Sequence, residues 1–526
     1  MRLLRAKLLS TAMAVVMGVA PLSAADLVIG IKSEPSSLDP QFHVLATNMQ
    51  VAFTMFEPLV MMDANAVPQP SLAESWENVS PTEWVFKLRE GVTFSDGSAF
   101  TAEDVVFTFD RVAKVPNSPT SFTLFTRQIE KVEALDEHTV KLTTFEPYPL
   151  LIGDITSIAI LSKNAASGAA PEGKTTTELN AGDGLVGTGP FTFVSWQKGA
   201  DFVAERNPNY WGSAPEWDRI VLRPMTNPAA RAAALLAGDI DVMEDPPTAN
   251  LEDFKNNPNL SMAQANPGRV IYIALDQQDR ESPGITAADG VNPLSDARVR
   301  EALSLAIDRE AIVSRIMGGV AVAAGDLVPS NFFGASPEHA EVPKVDLDRA
   351  KALLTEAGYP NGFSITFGTP NGRYVNDARV SQTIASMWSR VGVTTEVDAA
   401  APPVFFQNRD QLKYSAYLGS WGNGSGESLT TLNAQVATFD REQGKGTANG
   451  GRYSNPEVDA LLTEAASTLD NDARAALLSK ADGIVLDDFG IIPVHFEVPV
   501  WALRKGLTMQ GRADQYTLPQ YIVSVE

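Results

Sequence analysis

The chain has 526 residues, 44% of them hydrophobic and 20% charged, enough for two or three domains at about 100–200 residues each. Its 64 acids outnumber 41 bases, for a formal charge of −23; an acidic surface repels phosphate backbones and anionic lipid, which sets nucleic acid and membrane surfaces aside as partners. Cysteine is absent, so disulfides, thiolate metal sites and cysteine nucleophiles are excluded.

Residues 1–25 have the composition of a cleaved secretory signal. Arg2, Arg5 and Lys7 form a basic start, a mostly apolar run follows from Leu8 to Leu22, and Ser23 and Ala25 supply the small residues of a cleavage site. With no cysteine to carry lipid, the expectation is a free periplasmic protein, not a lipoprotein.

After the signal, Asp26–Ile31 (DLVIGI) is predicted to be a strand, ended by Pro35 and Pro40. From Glu83, Trp84, Phe86 and Leu88 alternate with Lys87 and Arg89, as on a strand with one buried face. Thr101 and Asp104 form a variant capping box that opens a helix through Val105, Phe109 and Val112. A hairpin is expected around Asp136 to His138, so residues from about 63 to 184 read as an α+β unit. Gly187–Gly199 holds a turn and a strand. Pro228 to Ala237 reads as a helix stopped by Gly238, followed by the strand DIDVM.

From about 290, helices alternate with strands. Ser295 is the expected cap of a helix with Val299, Leu303, Ala306 and Ile307 on one stripe. A second helix buries Leu353 and Leu354 and stops at Gly358. SITFGT is a strand, and a third helix turns Val380, Ile384, Met387, Trp388 and Val391 inward. VTTEVDA is a further strand. This alternation implies an α/β unit with much parallel pairing. GKGTANGGR, Gly444 to Arg452, reads as an exposed loop.

Ten segments in order carry a family resemblance: PSSLDP, FEPLV, PSLAESWE, WVFKLREGVTFSDGSAFTAEDVVFTFDR, GTGPF, ERNPNYWG, AGDIDV, NPLSDARVREALSLAIDREAIV, AKALLTEAGYPNGF and YSNPEVDALL. Together they resemble the extracellular solute-binding proteins of ABC importers, in the branch of dipeptide, oligopeptide and nickel receptors. The resemblance implies an α/β, two-lobed "Venus-flytrap" fold with an extra α+β subdomain on the first lobe. That lobe would hold 26–62, 185–280 and 495–526, the subdomain 63–184, and the second lobe 281–494. Such a receptor, a monomer without cofactor, performs no chemistry. It closes on a small-molecule or peptide ligand and hands it to a membrane permease.

The same resemblance points to binding residues. In SWGNGSGES, Trp421 stands where peptide receptors carry a tryptophan, but Gly424 stands where they carry the aspartate that meets the peptide's ammonium group. Asn423 and Glu427 are the nearest polar replacements. Arg373 and Tyr374, after SITFGT, lie at a strand end of the kind where α/β sheets meet ligands. Phe42 and His43 follow PSSLDP. The glycines at 422, 424 and 426 lack the spacing and the following lysine of phosphate loops, and Ser425 is not centred in a nucleophile elbow. His43, His138, His339 and His495 are scattered without metal-site spacing, so no metal site is expected. The ligand is expected to be a peptide or another small, polar, nitrogen-containing solute. Opine-like compounds, sugars and metal chelates stay open. A secreted hydrolase and a chaperone-like protein are the other readings of the same scaffold.

Overall fold

A computed structural model describes residues 26–287, 290–336, 338 and 340–525. The signal segment and His339 lie outside the described residues. Two seven-stranded sheets organise the chain.

The first sheet runs, in spatial order, Leu260–Gln264, Val500–Arg504, Val242–Glu244, Asp26–Ile31, Arg219–Pro224, Phe202–Arg206 and Phe191–Ser195. Its central strand, Asp26–Ile31, pairs in parallel with both neighbours, and Leu27, Ile29 and Ile31 are fully buried. Residues far apart in sequence thus share one sheet. The helix Pro228–Ala237 ends at Gly238 with φ 81°, a left-handed cap that glycine adopts without a Cβ penalty.

The second sheet runs Ile285–Thr286, Ser364–Pro370, Ala416–Gly422, Arg269–Leu275, Ile492–Glu497 and Ala321–Ala323, with Thr394–Ala400 pairing alongside Ser364–Pro370. Helices cover both faces. Ala297–Leu305, Leu347–Glu356 and Asp377–Ser389 pack against Ile271, Ile273, Ala416 and Leu418. Ser428–Gln435, Pro456–Ala465 and Asn471–Asp487 pack on the opposite face against Val270, Tyr272 and Tyr417. Parallel pairing is confined to the ladders of Ser364–Pro370 with its two long neighbours. The other ladders are antiparallel, so the sheet is mixed rather than largely parallel.

The unit between the lobes of sequence has a four-stranded antiparallel sheet ordered Ala73–Ser80, Glu83–Leu88, Thr139–Thr144, Ile129–Asp136. Helix Ala102–Val112 packs against it. Asp104 closes the helix start by accepting from the Thr101 N–H at 2.9 Å.

Two buried carboxylates connect several of the segments that carry the resemblance. Glu57 of FEPLV accepts from Thr188 Oγ1 at 2.9 Å, Tyr210 Oη at 3.1 Å and Trp211 Nε1 at 2.6 Å, tying together GTGPF and NPNYWG. Burial pushes its carboxyl up to about 7 against the pull of those donors. Asp39 of PSSLDP receives a bidentate pair from Arg111, NH1 at 2.9 Å and NH2 at 2.7 Å. Arg111 also donates to Gln41 Oε1, Glu172 O and Lys174 O, so it ties helix Ala102–Val112 to the segment that follows the strand Asp26–Ile31.

Two local expectations change. The helix expected from Ser295 is two helices. Asp296 Oδ1 accepts from the Arg298 N–H to start Ala297–Leu305, and Asp308 caps Arg309–Arg315. Ser295 instead donates its hydroxyl back to Asn292 O. The 444–452 loop is partly folded down: buried Asn449 donates to Ala437 O and Tyr453 O.

Candidate interlobe binding site

Sheet membership changes twice, between Gln264 and Arg269 and between Glu497 and Val500. The two crossings run side by side in opposite directions, joined by the Ala265 N–H donating to Pro499 O at 3.1 Å. The boundaries expected at 281 and 495 fall respectively after and inside strands of the second sheet. Leu251 and Val500 of the first lobe meet Val320 of the second beside the crossings.

Charged groups from both lobes gather there. Lys32, one residue past the central strand, donates Nζ to Asp245 Oδ2 at 2.6 Å, and its N–H goes to Glu244 Oε2 at 2.9 Å. Burial pulls the Lys32 ammonium down, but the Asp245 and Glu244 carboxylates outweigh it and hold the group above its ordinary value. From the second lobe, Arg269 Nε lies 3.6 Å from Glu497 Oε2, and the Val375 N–H donates to Glu497 Oε1 at 2.9 Å. Burial raises the Glu497 carboxyl, opposed by Arg269 and the Val375 N–H. Lys32 and Asp245 also lie within electrostatic reach of Glu497.

The segment 371–377 borders this group. The Asp377 carboxylate gathers the N–H groups of Gly372, Arg373 and Tyr374 at 2.8–3.0 Å. Tyr374 is buried against the second lobe's core. Arg373 is exposed, its guanidinium 5.7 Å from the Tyr374 ring centroid. Asn376, at φ 56°, donates Nδ2 to Thr248 Oγ1 of the first lobe at 3.1 Å and to Ile316 O of the second at 2.7 Å.

Trp421 is the next-to-last residue of the strand Ala416–Gly422 and pairs with Val270, close to the first crossing. It is half-buried against the second lobe's core, and its indole Nε1 has no hydrogen-bond partner among the described residues. Gly419, two residues earlier, leaves room for the Tyr272 ring, 2.7 Å from where a Cβ would stand.

The polar side chains that follow are engaged within the protein. Asn423 donates its N–H to Gly268 O at 2.7 Å and Nδ2 to Glu427 O and Thr431 Oγ1. Glu427 pairs with Arg474 at 2.6 Å and accepts from the Leu429 N–H. Burial raises its carboxyl, with Arg474 pulling it back. A Cβ on exposed Gly424 would meet nothing within 4 Å. The loop's polar side chains thus bond inward, leaving open space at Gly424 beside the half-buried Trp421.

Phe42 and His43 have their hydrogen-bond contacts elsewhere. Phe42 O accepts from Ser118 Oγ at 2.6 Å, and His43 bridges to Thr120 and places Nδ1 2.9 Å from Ser36 Oγ. The geometry adds Lys32, Asp245, Arg269, Asn376 and Glu497 to the residues picked out by sequence. Lys32 and Asp245 each stand just past a strand of the first sheet, a signal available in DLVIGIK and DVMED.

Two α/β lobes joined by a pair of crossings, with polar groups of both converging beside them, define a two-lobed binding protein. The chain belongs to the bacterial extracellular solute-binding proteins, family 5, whose model matches residues 67–443. It is 29% identical over 459 residues to heme-binding protein A of Haemophilus influenzae, covering 82% of this chain and 79% of that one. It is also 29% identical over 512 residues to the glutathione-binding protein GsiB of Pectobacterium atrosepticum, covering 96% and 94%. The solved structure of HbpA2 from Haemophilus parasuis matches with a TM-score of 0.80 at 25% identity, over 95% of this chain and all of that one.

Proposed function

We propose that this chain is the periplasmic receptor of an ABC importer, which captures a peptide or other small, polar, nitrogen-containing solute between its lobes and presents it to a membrane permease. The observation that carries this reading is the pair of crossings flanked by Lys32, Asp245, Arg269 and Glu497, groups that can respond to a guest held between two sheets. A solute touching both lobes favours the closed arrangement by its differential affinity. The names of the relatives, heme-, glutathione- and D,D-dipeptide-binding, support a solute-binding role and span different ligand chemistries. Trp421 supplies an apolar wall, and Arg373 and Tyr374 border the second-lobe side. Secretion through residues 1–25, a monomeric state and the absence of turnover belong to the same reading.

Native mass spectrometry of freshly purified protein is the test. A retained small solute that raises the unfolding free energy by about 2.7 kcal/mol at ~100-fold excess over Kd, without being converted, supports the receptor. Conversion of that solute to product would favour a hydrolase. Suppression of aggregation with no saturable solute would favour a chaperone.

A further inference from the structure

Two carboxyl groups meet inside the second lobe. Asp482, on helix Asn471–Asp487, is fully buried, and Asp326, just past strand Ala321–Ala323, is 2% exposed. Neither oxygen of Asp482 meets an N–H or a hydroxyl among the described residues; its hydrogen-bonding neighbour is the Asp326 carboxyl. Asp326 in turn accepts from the Val328 N–H at 3.0 Å and the Ser336 N–H at 3.3 Å. Ionised carboxylates only accept, so two of them bond only through a proton carried by one. The backbone N–H groups hold Asp326 as the acceptor, which leaves Asp482 as the protonated partner.

Burial, and then the charge of Asp326, push the Asp482 carboxyl well above its ordinary value. Burial also raises Asp326, opposed by its bonds to Asp482 and the backbone N–H groups. The bases on the surrounding elements are engaged elsewhere: Arg474 with Glu427 at 2.6 Å, and Lys480 with exposed Glu457 at 2.7 Å. Asp459 accepts from the Thr438 N–H, and Asp472, Glu464 and Asp487 are exposed. Helix Ser428–Gln435 carries no titratable side chain. On strand Ile492–Glu497, Glu497 faces Arg269, and burial holds the His495 imidazole below its ordinary value.

Asp326 begins a strap, 326–336, that reaches the loop after Trp421. The Phe333 N–H donates to Gly426 O at 2.9 Å, and the Ser428 N–H to Phe333 O at 3.0 Å. Arg474, while paired with Glu427, lies 4.0 Å from the Phe333 ring centroid. Gly334, at φ +76°, packs so closely that a Cβ there would stand 2.4 Å from Ser428 Oγ and 2.8 Å from Leu478 Cβ, one helical turn before Asp482. The strap is thus fastened at one end to Asp482 and at the other to 426–428, where Glu427 O accepts from Asn423 Nδ2 at 2.8 Å.

We propose that Asp326 and Asp482 share a single proton and that this proton is the catch of the strap: its loss leaves two repelling carboxylates, frees 326–336 from helix Asn471–Asp487 and loosens the 423–428 loop with it. The inference rests on the receptor reading and adds control of the same site by pH. The fastened strap holds one proton that the released strap, with both carboxyls at ordinary values, gives up. Order is therefore fully present below about pH 4 and is lost as pH rises. Release of one proton makes opening about tenfold easier per pH unit, up to the pH at which the pair itself titrates.

Hydrogen exchange of the purified protein between about pH 5 and about pH 8, corrected for the intrinsic pH dependence of exchange, tests it. Amides of 326–336 and 423–428 should lose protection by about tenfold per pH unit relative to those of strand Glu83–Leu88. Asp482→Asn, whose amide donates to Asp326 without titrating, should keep both segments protected across the range. Asp326→Asn removes the repulsion and should do the same, which keeps the test usable if Asp482→Asn fails to fold. Infrared spectra of the natural protein should show a protonated-carboxyl C=O band that Asp482→Asn lacks. Protection that does not fall in the natural protein, an equal fall in either folded variant, or a spectrum without that band would each overturn the proposal. Exchange decides the switch whether or not a solute is bound; no retained solute and no solute-dependent stabilisation sinks the receptor alone.

Discussion

Arg269 and Glu497 face each other in register across the two strands that join the lobes, with Nε 3.6 Å from Oε2. Arg269 opens the outgoing strand and Glu497 closes the returning one. Glu497 also fixes the Val375 N–H, so one side chain connects the crossing to the segment carrying Arg373 and Tyr374. Glu497→Ala leaves that N–H and Arg269 without their partner and should cost about 1–3 kcal/mol of unfolding free energy. Glu497→Gln keeps an acceptor and should cost less. Urea unfolding of both variants checks the order.

The Arg111–Asp39 pair is fully buried, with side-chain exposures of 1% and 0%. Removing one partner strands a charge away from water, so Arg111→Ala should destabilise by about 3–5 kcal/mol. Its effect should fall on the joint between helix Ala102–Val112 and the segment after Asp26–Ile31. Limited proteolysis with calorimetry would show the subdomain becoming cleavable before the second lobe does.

His495 is buried on the returning strand with neither ring nitrogen partnered among the described residues. Burial lowers its imidazole to about 3, well below its ordinary 6.5. The folded state keeps it neutral while the unfolded chain takes up a proton below 6.5. Its contribution is therefore fully present above pH 6.5 and is lost as pH falls toward 3, at about 1.4 kcal/mol per pH unit for one proton. His495→Phe should flatten that acid limb between about pH 6 and 4. An unchanged limb in pH-dependent denaturation would show that other groups set it.

Gly424 faces open space, and the resemblance read from the sequence implies an aspartate at this position in peptide receptors. Gly424→Asp should leave stability within about 0.5 kcal/mol, as for surface changes that disturb no contact. If an acid at this position governs ligand choice, the variant should bind a dipeptide more tightly than the natural protein does. Calorimetric titration of both proteins with one dipeptide measures this.

The fold was legible where one signal sufficed. Alternation at Trp84, Phe86 and Leu88, the apolar face of Val380, Ile384 and Trp388, and the stop at Gly238 each depend on near neighbours, and each element formed as expected. Asp296 replaced Ser295 as the cap although both are good caps, because Ser295 bonds locally to Asn292 O three residues back, a competing turn contact. The site was less legible. Trp421 was picked out by its motif alone, and the Glu427–Arg474 pair spans 47 positions, a distance at which no periodicity operates. Arg269 and Glu497 are separated further still, and only sheet pairing reveals that they meet.

The strand Val500–Arg504 sits inside the first sheet, between Leu260–Gln264 and Val242–Glu244. Translation delivers that inner piece after the strands of the second sheet. The first sheet must therefore wait with a slot between Val242–Glu244 and its edge strand Leu260–Gln264, so a ribosome-bound or partly exported chain leaves that edge strand unpaired until Val500–Arg504 arrives.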